Sequence, residues 1–209
     1  MADATVFVID DDPSVRSALK RLVASVGLAC ETFADANEYL AVRKPEAGGC
    51  LIVDIRLPGL SGLELQEQLG RLGYHLPVIF LTAHGDIRTT VRAMKGGAVD
   101  VLAKPFHEQE LLDAVRHAID VDREGRQKHR DRRRRQEAYD SLTLRERQVL
   151  ALVVSGHLNK QIAAELNLAE STVKLHRAEV MQKMDARSLA ELVLMTADLD
   201  IVTRPHESA

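Results

Sequence analysis

The sequence predicts a doubly wound α/β domain, with a five-stranded parallel sheet covered by helices on both faces, followed by a small all-helical domain. Three observations lead to this. Short aliphatic runs alternate with amphipathic helical patterns across residues 1–121, and strands joined by helical crossovers form parallel sheets buried on both sides. Near residue 121 the alternation gives way to a basic stretch without an apolar stripe. From residue 141 onward the apolar spacing is helical throughout.

The strand runs fall at 6–9, 51–53, 78–81 and 98–102, with a weaker one at 28–33. Asp12 is placed to cap a helix that starts with Pro13, the favoured first position for proline. Val15, Ala18, Leu19, Leu22, Val23 and Val26 then share one face. Ser61 and Glu64 form a capping-box pair ahead of Leu65 and Leu69. Asp86 is placed to cap a helix carrying Val91 and Met94, and Leu111, Leu112, Val115 and Ile119 mark the last helix of this half. Residues 122–140 read as a basic helical linker, with Arg123, Arg126, Lys128, Arg130 and the run Arg132 to Arg135. That arginine run fits either a charged linker surface or a strip tracking DNA phosphates.

Four helices follow in 141–199. Thr143 and Glu146 form a capping box before Val149, Leu150 and Val153, and Gly156 ends that helix. Asn159 is placed to cap a short helix with Ile162, Ala163 and Leu166. A tight connection at 167–169 leads to a longer helix around 172–183, and Ser188 and Glu191 form a third capping box. A short helix, a tight turn and a longer helix make a helix-turn-helix unit. The expected domains are thus 1–121, the linker 122–140 and 141–209.

Composition narrows the class. With 209 residues, 45% of them hydrophobic but only 3% aromatic and none Trp, the chain can build two aliphatic cores. Cys30 and Cys50 have no metal-site or disulfide spacing and read as buried free thiols. No run approaches the roughly 18–20 apolar residues of a membrane helix, so a cytoplasmic protein without a membrane partner is expected. The net charge of −3 is unevenly laid out. Residues 1–121 carry 12 basic and 17 acidic side chains, 122–140 carry 8 and 5, and 141–209 carry 8 and 9. The first part is acidic and the middle basic, as in separate modules.

The chemistry sits at the ends of the strand runs. Asp10 and Asp11 follow the first, Asp54 the third, Thr82 the fourth and Lys104 the fifth. Ligands of open parallel sheets bind beyond the carboxyl ends of the strands, so these side chains are expected to converge. An aspartate can carry a phosphoryl group, but three carboxylates repel an anionic donor. Magnesium, or manganese, resolves this with oxygen ligands. Asp10, Asp11, Asp54 and the Arg56 carbonyl are the expected metal set. Lys104 would neutralise a phosphoryl oxygen and Thr82 donate its hydroxyl to another. Arg56 and His84 flank the site and are placed to gate water. The Lys104-Pro105 bond is one where proline makes the cis form accessible.

The segments Val-Ile-Asp-Asp-Asp, Ile-Val-Asp-Ile-Arg-Leu-Pro-Gly-Leu-Ser-Gly, Phe-Leu-Thr-Ala-His-Gly and Ala-Lys-Pro-Phe make residues 1–121 resemble the receiver domain of bacterial two-component response regulators, a flavodoxin-like doubly wound fold. The resemblance implies that a sensor histidine kinase donates the phosphoryl group and that the receiver catalyses its own transfer to Asp54. It also implies dimerisation through the fourth helix and fifth strand once phosphorylated. One position departs from the pattern. Many receivers have Tyr or Phe three residues before the lysine, where this chain has Val101. Val101 has no ring to swing when Thr82 moves, so a modest shift on phosphorylation is expected.

In the long helix of the second domain, Val173, Val180 and Met184 share an inward face, and Met181 also reads as core. Lys174, Arg177 and Ala178 are expected to form an outward stripe with Leu175 and His176 at its margins. Such a helix fits the major groove of B-DNA. Lys174 and Arg177 are candidate base or phosphate contacts, Leu175 and Ala178 candidates for thymine methyls, and Lys160 and Thr172 candidates for phosphates. Lys174, Arg177, Lys183 and Arg187 are expected to form the basic side of a domain whose net charge is slightly acidic. The motifs Leu-Thr-Leu-Arg-Glu-Arg-Gln-Val-Leu, Asn-Lys-Gln-Ile-Ala-Ala-Glu-Leu and Glu-Ser-Thr-Val-Lys-Leu-His-Arg-Ala-Glu-Val-Met-Gln-Lys-Met resemble the LuxR-type helix-turn-helix domain. Together the halves are most similar to the FixJ and StyR group of response regulators, of the NarL/LuxR type. This implies a homodimer on double-stranded promoter DNA, working with RNA polymerase to activate transcription.

Two other classes fit the residues less well. Phosphatases of the haloacid-dehalogenase type need a second Asp two residues after the nucleophile, where this chain has Arg56. A receiver serving only as a phosphorylation-independent dimerisation module would have no use for the acid cluster.

Overall fold

A computed structural model describes residues 4–42, 47–83 and 87–199. The chain divides into two compact units between Arg126 and Gln127.

Among the described residues the first unit holds β1 (Ala4–Ile9), α1 (Pro13–Ser25), β2 (Ala29–Phe33), α2 (Ala36–Val42), β3 (Gly48–Asp54), α3 (Gly62–Arg71), β4 (Val78–Thr82), α4 (Ile87–Lys95), β5 (Asp100–Ala103) and the start of α5 (Glu108–Asp140). All pairings are parallel, in the order β2-β1-β3-β4-β5. Because side chains alternate along a strand, the sheet feeds two cores. Phe7, Ile9, Leu51, Val53, Val78 and Phe80 face Ala36, Tyr39, Leu65, Leu69 and Ala93. Val6, Val8, Cys50, Ile52, Ile79 and Leu81 face Leu19, Val23, Leu111, Val115 and Ile119. Full burial of each such aliphatic side chain stabilises by about 1.5–3 kcal/mol.

Local chemistry places the helix starts. Asp12 caps α1 by accepting from the Ser14 amide at 2.8 Å, with Pro13 at the first position. Val26 ends α1 as its C-cap, and both it and Ala18 are exposed. The inward face of α1 is therefore narrower than the apolar spacing suggests. The Ser61–Glu64 box starts α3. Gly62 is needed there, since a Cβ at that position would lie 2.5 Å from the Asp54 carbonyl oxygen. Asp86, the expected cap of α4, lies outside the described residues. Cys30 is half-buried and Cys50 buried, both free. Burial pushes their thiols up to about 11 and about 12, so both stay protonated near neutral pH.

The second unit contains the end of α5 with α6 (Leu144–Val154), α7 (Asn159–Leu166), α8 (Glu170–Lys183) and α9 (Leu189–Ala197). Its core joins Leu142, Val149, Leu150, Val153, Ile162, Val173, Val180, Met184 and Leu192, with Ala138, Tyr139 and Met181 packed at the margin. Arg147 ties the end of α5 to α6. Its guanidinium donates to the carbonyls of Leu142 and Asp140, and it stacks 4.8 Å from the Tyr139 ring centroid. The Thr143–Glu146 box forms.

Two caps differ from the sequence-based expectation. Asn159 is the first residue of α7 and not its cap. The cap position is Leu158, whose amide donates to the Gln161 side chain at 2.7 Å. Ser188 caps α9 through the Glu191 amide, but the Glu191 carboxylate accepts from the Arg187 amide, one residue earlier than a closed box requires. Asn167 ends α7 in the left-handed conformation, at φ 53°, one that Asn tolerates better than most residues. This makes the turn into α8 tight.

Candidate functional site

The carboxyl ends of β1, β3, β4 and β5 bring the expected side chains together. Register fixes them: Ile9 pairs with Val53, Asp54 with Leu81 and Thr82 with Ala103, so Asp54 and Thr82 end their strands, Asp10 and Lys104 directly follow theirs, and Asp11 comes one residue after Asp10. One carboxylate oxygen from each of Asp10, Asp11 and Asp54 lies within 4.8 Å of the others. Asp10 and Asp54 are buried and Asp11 is exposed at the rim.

Every buried oxygen of this pair has a donor. Asp10 accepts from the Asp12 amide at 2.9 Å and from Lys104 Nζ at 2.7 Å. Asp54 accepts from the Arg56 amide at 2.7 Å and from Lys104 Nζ at 2.5 Å. Burial alone would depress the Lys104 ammonium, but the hydrogen bonds and charges of Asp10 and Asp54 outweigh it and hold its pKa above the ordinary value. The Lys104 amide donates to the Thr82 carbonyl at 2.7 Å, and the Lys104-Pro105 bond is cis. Thr82 is buried, Val101 packs half-buried on the core beneath, and the Arg56 side chain is exposed. His84 lies outside the described residues.

Charge decides what this arrangement can hold. Three carboxylates face one ammonium, leaving a net negative pocket lined by oxygen. That donor set suits a hard divalent cation such as magnesium, and among the described residues it includes no imidazole or thiolate for a softer one. Arg16 has a role the sequence did not signal. Its guanidinium donates to the Asp10 carbonyl at 2.6 Å and fixes the turn that presents Asp10 and Asp11.

In the second unit, Lys174, Leu175 and Ala178 lie exposed on α8, and Leu175 leaves 58% of its surface to solvent. Lys160 is exposed near the start of α7, and Thr172 is half-buried. His176 lies at the helix margin with Nδ1 3.2 Å from Glu179. Two cations turn away from the exposed row. Arg177 is half-buried and donates to Asn159 Oδ1 at 2.7 Å. Lys183 donates to both oxygens of Glu146, at 2.7 and 2.8 Å. The signal for Arg177 was present, because 173, 177, 180 and 184 form a single row at i, i+4, i+7 and i+11. Among the described residues no helix is long and apolar enough to cross a membrane.

Comparison with known proteins agrees with both halves. The family described as "Response regulator receiver domain" matches residues 6–116, and that of "Bacterial regulatory proteins, luxR family" matches 140–196. Nodulation protein W of Bradyrhizobium diazoefficiens is 52% identical over 95% of this chain and 87% of its own length. The response regulator protein TodT of Pseudomonas putida is 45% identical over 94% of this chain and 86% of its own. Among solved structures, the response regulator StyR is 51% identical, covers 94% of this chain and 99% of its own, and superposes with a TM-score of 0.85. Full-length FixJ from B. japonicum is 35% identical, covers 96% and 99%, and gives 0.59. A receiver fold with an oxygen-lined acid cluster, joined to a LuxR-type helical unit and matched end to end by such relatives, places the chain in the FixJ and StyR family of two-component response regulators, transcriptional regulators controlled by phosphorylation.

Proposed function

We propose that Asp54 is the phospho-acceptor and that Asp10, Asp11, Asp54 and the Arg56 carbonyl hold a magnesium ion, for which manganese can substitute. The observation that carries this is the cluster itself: three carboxylates within 4.8 Å and the Lys104 ammonium bonded to two of them. A sensor histidine kinase supplies the phosphoryl group. Phosphorus leaves an imidazole nitrogen as an Asp54 oxygen bonds to it, so one N–P bond breaks as one O–P bond forms. The bound metal supplies positive charge against the phosphoryl oxygens. Lys104, already a hydrogen bond from the nucleophile, takes one of these oxygens, and the Thr82 hydroxyl takes another. The receiver thus catalyses only its own phosphorylation and slow dephosphorylation. Incubation with acetyl phosphate and magnesium should add one phosphoryl mass to the chain and none to Asp54→Asn. Labelling of Asp54→Asn at the wild-type rate would overturn the assignment.

Phosphorylation then favours a homodimer through α4 and β5, supported by the exposed apolar side chains Ile87, Val91 and Met94 of α4. Residues 1–121 act as receiver and 141–209 as reader, with the basic 122–140 joining them. Two readers on one duplex bind more tightly than one. Within each, Lys174, Leu175 and Ala178 face base edges in the major groove, Lys160 and Thr172 grip phosphates, His176 flanks them, and Arg177 supports α8 from its inward side. The protein works in the cytoplasm, on double-stranded promoter DNA and with RNA polymerase.

A further inference from the structure

The basic residue nearest the middle of α8 does not lie on the exposed side of that helix. Arg177 follows Val173 by four residues and precedes Val180 by three, so it sits in the inward row completed by Met184. Its three row-mates are buried in the core of the second unit. A half-buried guanidinium needs a hydrogen-bond acceptor in place of the water it has lost. The partner is Asn159 Oδ1 at 2.7 Å, in the first turn of α7. Asn159 is the first helical residue and not the cap, and its side-chain carbonyl accepts from the guanidinium. On the opposite side of α8, the residues Ser171, Lys174, Leu175, Ala178 and Gln182 are all exposed and line up at i, i+3, i+4, i+7 and i+11.

We propose that Asn159 is a positioning residue for DNA reading: through the Arg177 guanidinium it fixes the angle of α8 against α7, while Ser171, Lys174, Leu175, Ala178 and Gln182 do the reading. This rests on the proposed DNA-binding function of the unit. The first helix of such a motif crosses the backbone and the second lies in the groove, so a strut between them sets how the second enters. The 14 residues of α8 span about 21 Å, and a tilt of about 10° about the middle moves each end by about 2 Å. That exceeds the tolerance of a base-edge hydrogen bond. The far end is held separately, by Lys183 on Glu146. Within the exposed row, Gln182 suits adenine, Lys174 suits guanine, and Leu175 and Ala178 suit the thymine methyl. Ser171 accepts either role.

The test is binding-site selection from a randomised duplex library, using the full-length protein as wild type, N159A, N159D, R177A and the N159A/R177A double variant. N159A and R177A should each bind the wild-type site about tenfold more weakly, the size of one charge-assisted hydrogen bond. Each should select a site relaxed at all positions together. The double variant should be no worse than R177A, because both changes remove one interaction. N159D keeps an acceptor for the guanidinium and should restore the base preferences even where its added charge lowers affinity. Loss of preference at a single base pair in R177A, with N159A selecting as wild type, would make Arg177 a base reader and refute the strut. Unchanged preferences in both single variants would refute it as well. Failure of the wild type to enrich any sequence would instead refute the DNA-binding function on which the strut depends.

Discussion

Glu146→Gln isolates one electrostatic contribution in the DNA-reading unit, and its size follows from the geometry. Glu146 is buried, and both of its oxygens accept from Lys183 Nζ. Hydrogen bonding to Lys183, with the Thr143 capping bonds behind it, pulls the carboxyl from an ordinary 4.5 to about 2. Each tenfold change in proton affinity is worth ~1.4 kcal/mol, so the full drop corresponds to about 3 kcal/mol. Lys183 leaves 36% of its side chain in water, and screening of that partner reduces the expected loss to about 1–2 kcal/mol. Glutamine keeps the shape and, with its one oxygen, the capping bond to the Thr143 amide, so the charge and one of the two Lys183 acceptors are lost. The folded pKa lies below the unfolded one. The stabilisation is therefore complete above about pH 5 and drains away as the pH falls through 4.5 towards 2. Urea denaturation of residues 127–209, followed by helical circular dichroism, should show Glu146→Gln less stable at pH 7 and converging on wild type near pH 2. A constant difference across that range would show that the pair contributes shape and not charge.

Other perturbations reach the receiver. Removal of divalent metal with EDTA should abolish labelling by acetyl phosphate, and magnesium should restore it; labelling that persists in EDTA would remove the metal role from Asp10, Asp11 and Asp54. Lys104→Ala should slow labelling at least tenfold by withdrawing the positive charge held at Asp54, while labelling at the wild-type rate would exclude Lys104 from the transfer. Wild-type dimer affinity should shift only modestly with a phosphoryl mimic, because Val101 has no ring to reorient, and Val101→Phe should enlarge the shift; sedimentation equilibrium reads both, and a very large wild-type shift would refute the relay argument. Gly62→Val should destabilise the first unit by more than about 2 kcal/mol, because its Cβ would overlap the Asp54 carbonyl; thermal denaturation measures it.

The parts of the fold that were legible in the sequence are those fixed by period and by end chemistry. Alternation along Val6–Ile9 and Val78–Leu81 assigns two cores to two faces, and they pack so. Asp12–Pro13, Ser61–Glu64 and Thr143–Glu146 mark helix starts because local hydrogen bonds decide them. The acid cluster was legible because strand order alone carries Asp10, Asp54 and Lys104 to one edge. Contacts that depend on packing between helices were not. Nothing local distinguishes Lys183 from a solvated lysine, and only the fold of α6 against α8 brings Glu146 to it. Asn159 resembles a cap, yet the chain enters α7 one residue earlier and the amide turns to Arg177. That arginine carried a usable signal in its spacing, but its charge suggested the opposite face.

The two lysines bonded to buried carboxylates show why similar chemistry yields a switch in one unit and a brace in the other. At Glu146 one acid meets one ammonium, and both carboxylate oxygens are satisfied. Nothing entering that site could improve on the pairing, and removing either partner strands a charge. At Asp54 one ammonium is shared between two buried acids with a third at the rim. The charge there is unbalanced, which is the ground for proposing a divalent cation at this cluster and none at Glu146. On the function proposed above, incoming phosphoryl oxygens would meet a lysine already bonded to the acceptor. The difference lies in stoichiometry and not in residue type. A regulator needs the unbalanced cluster where its state must change and the balanced pair where the reading helix must keep its angle.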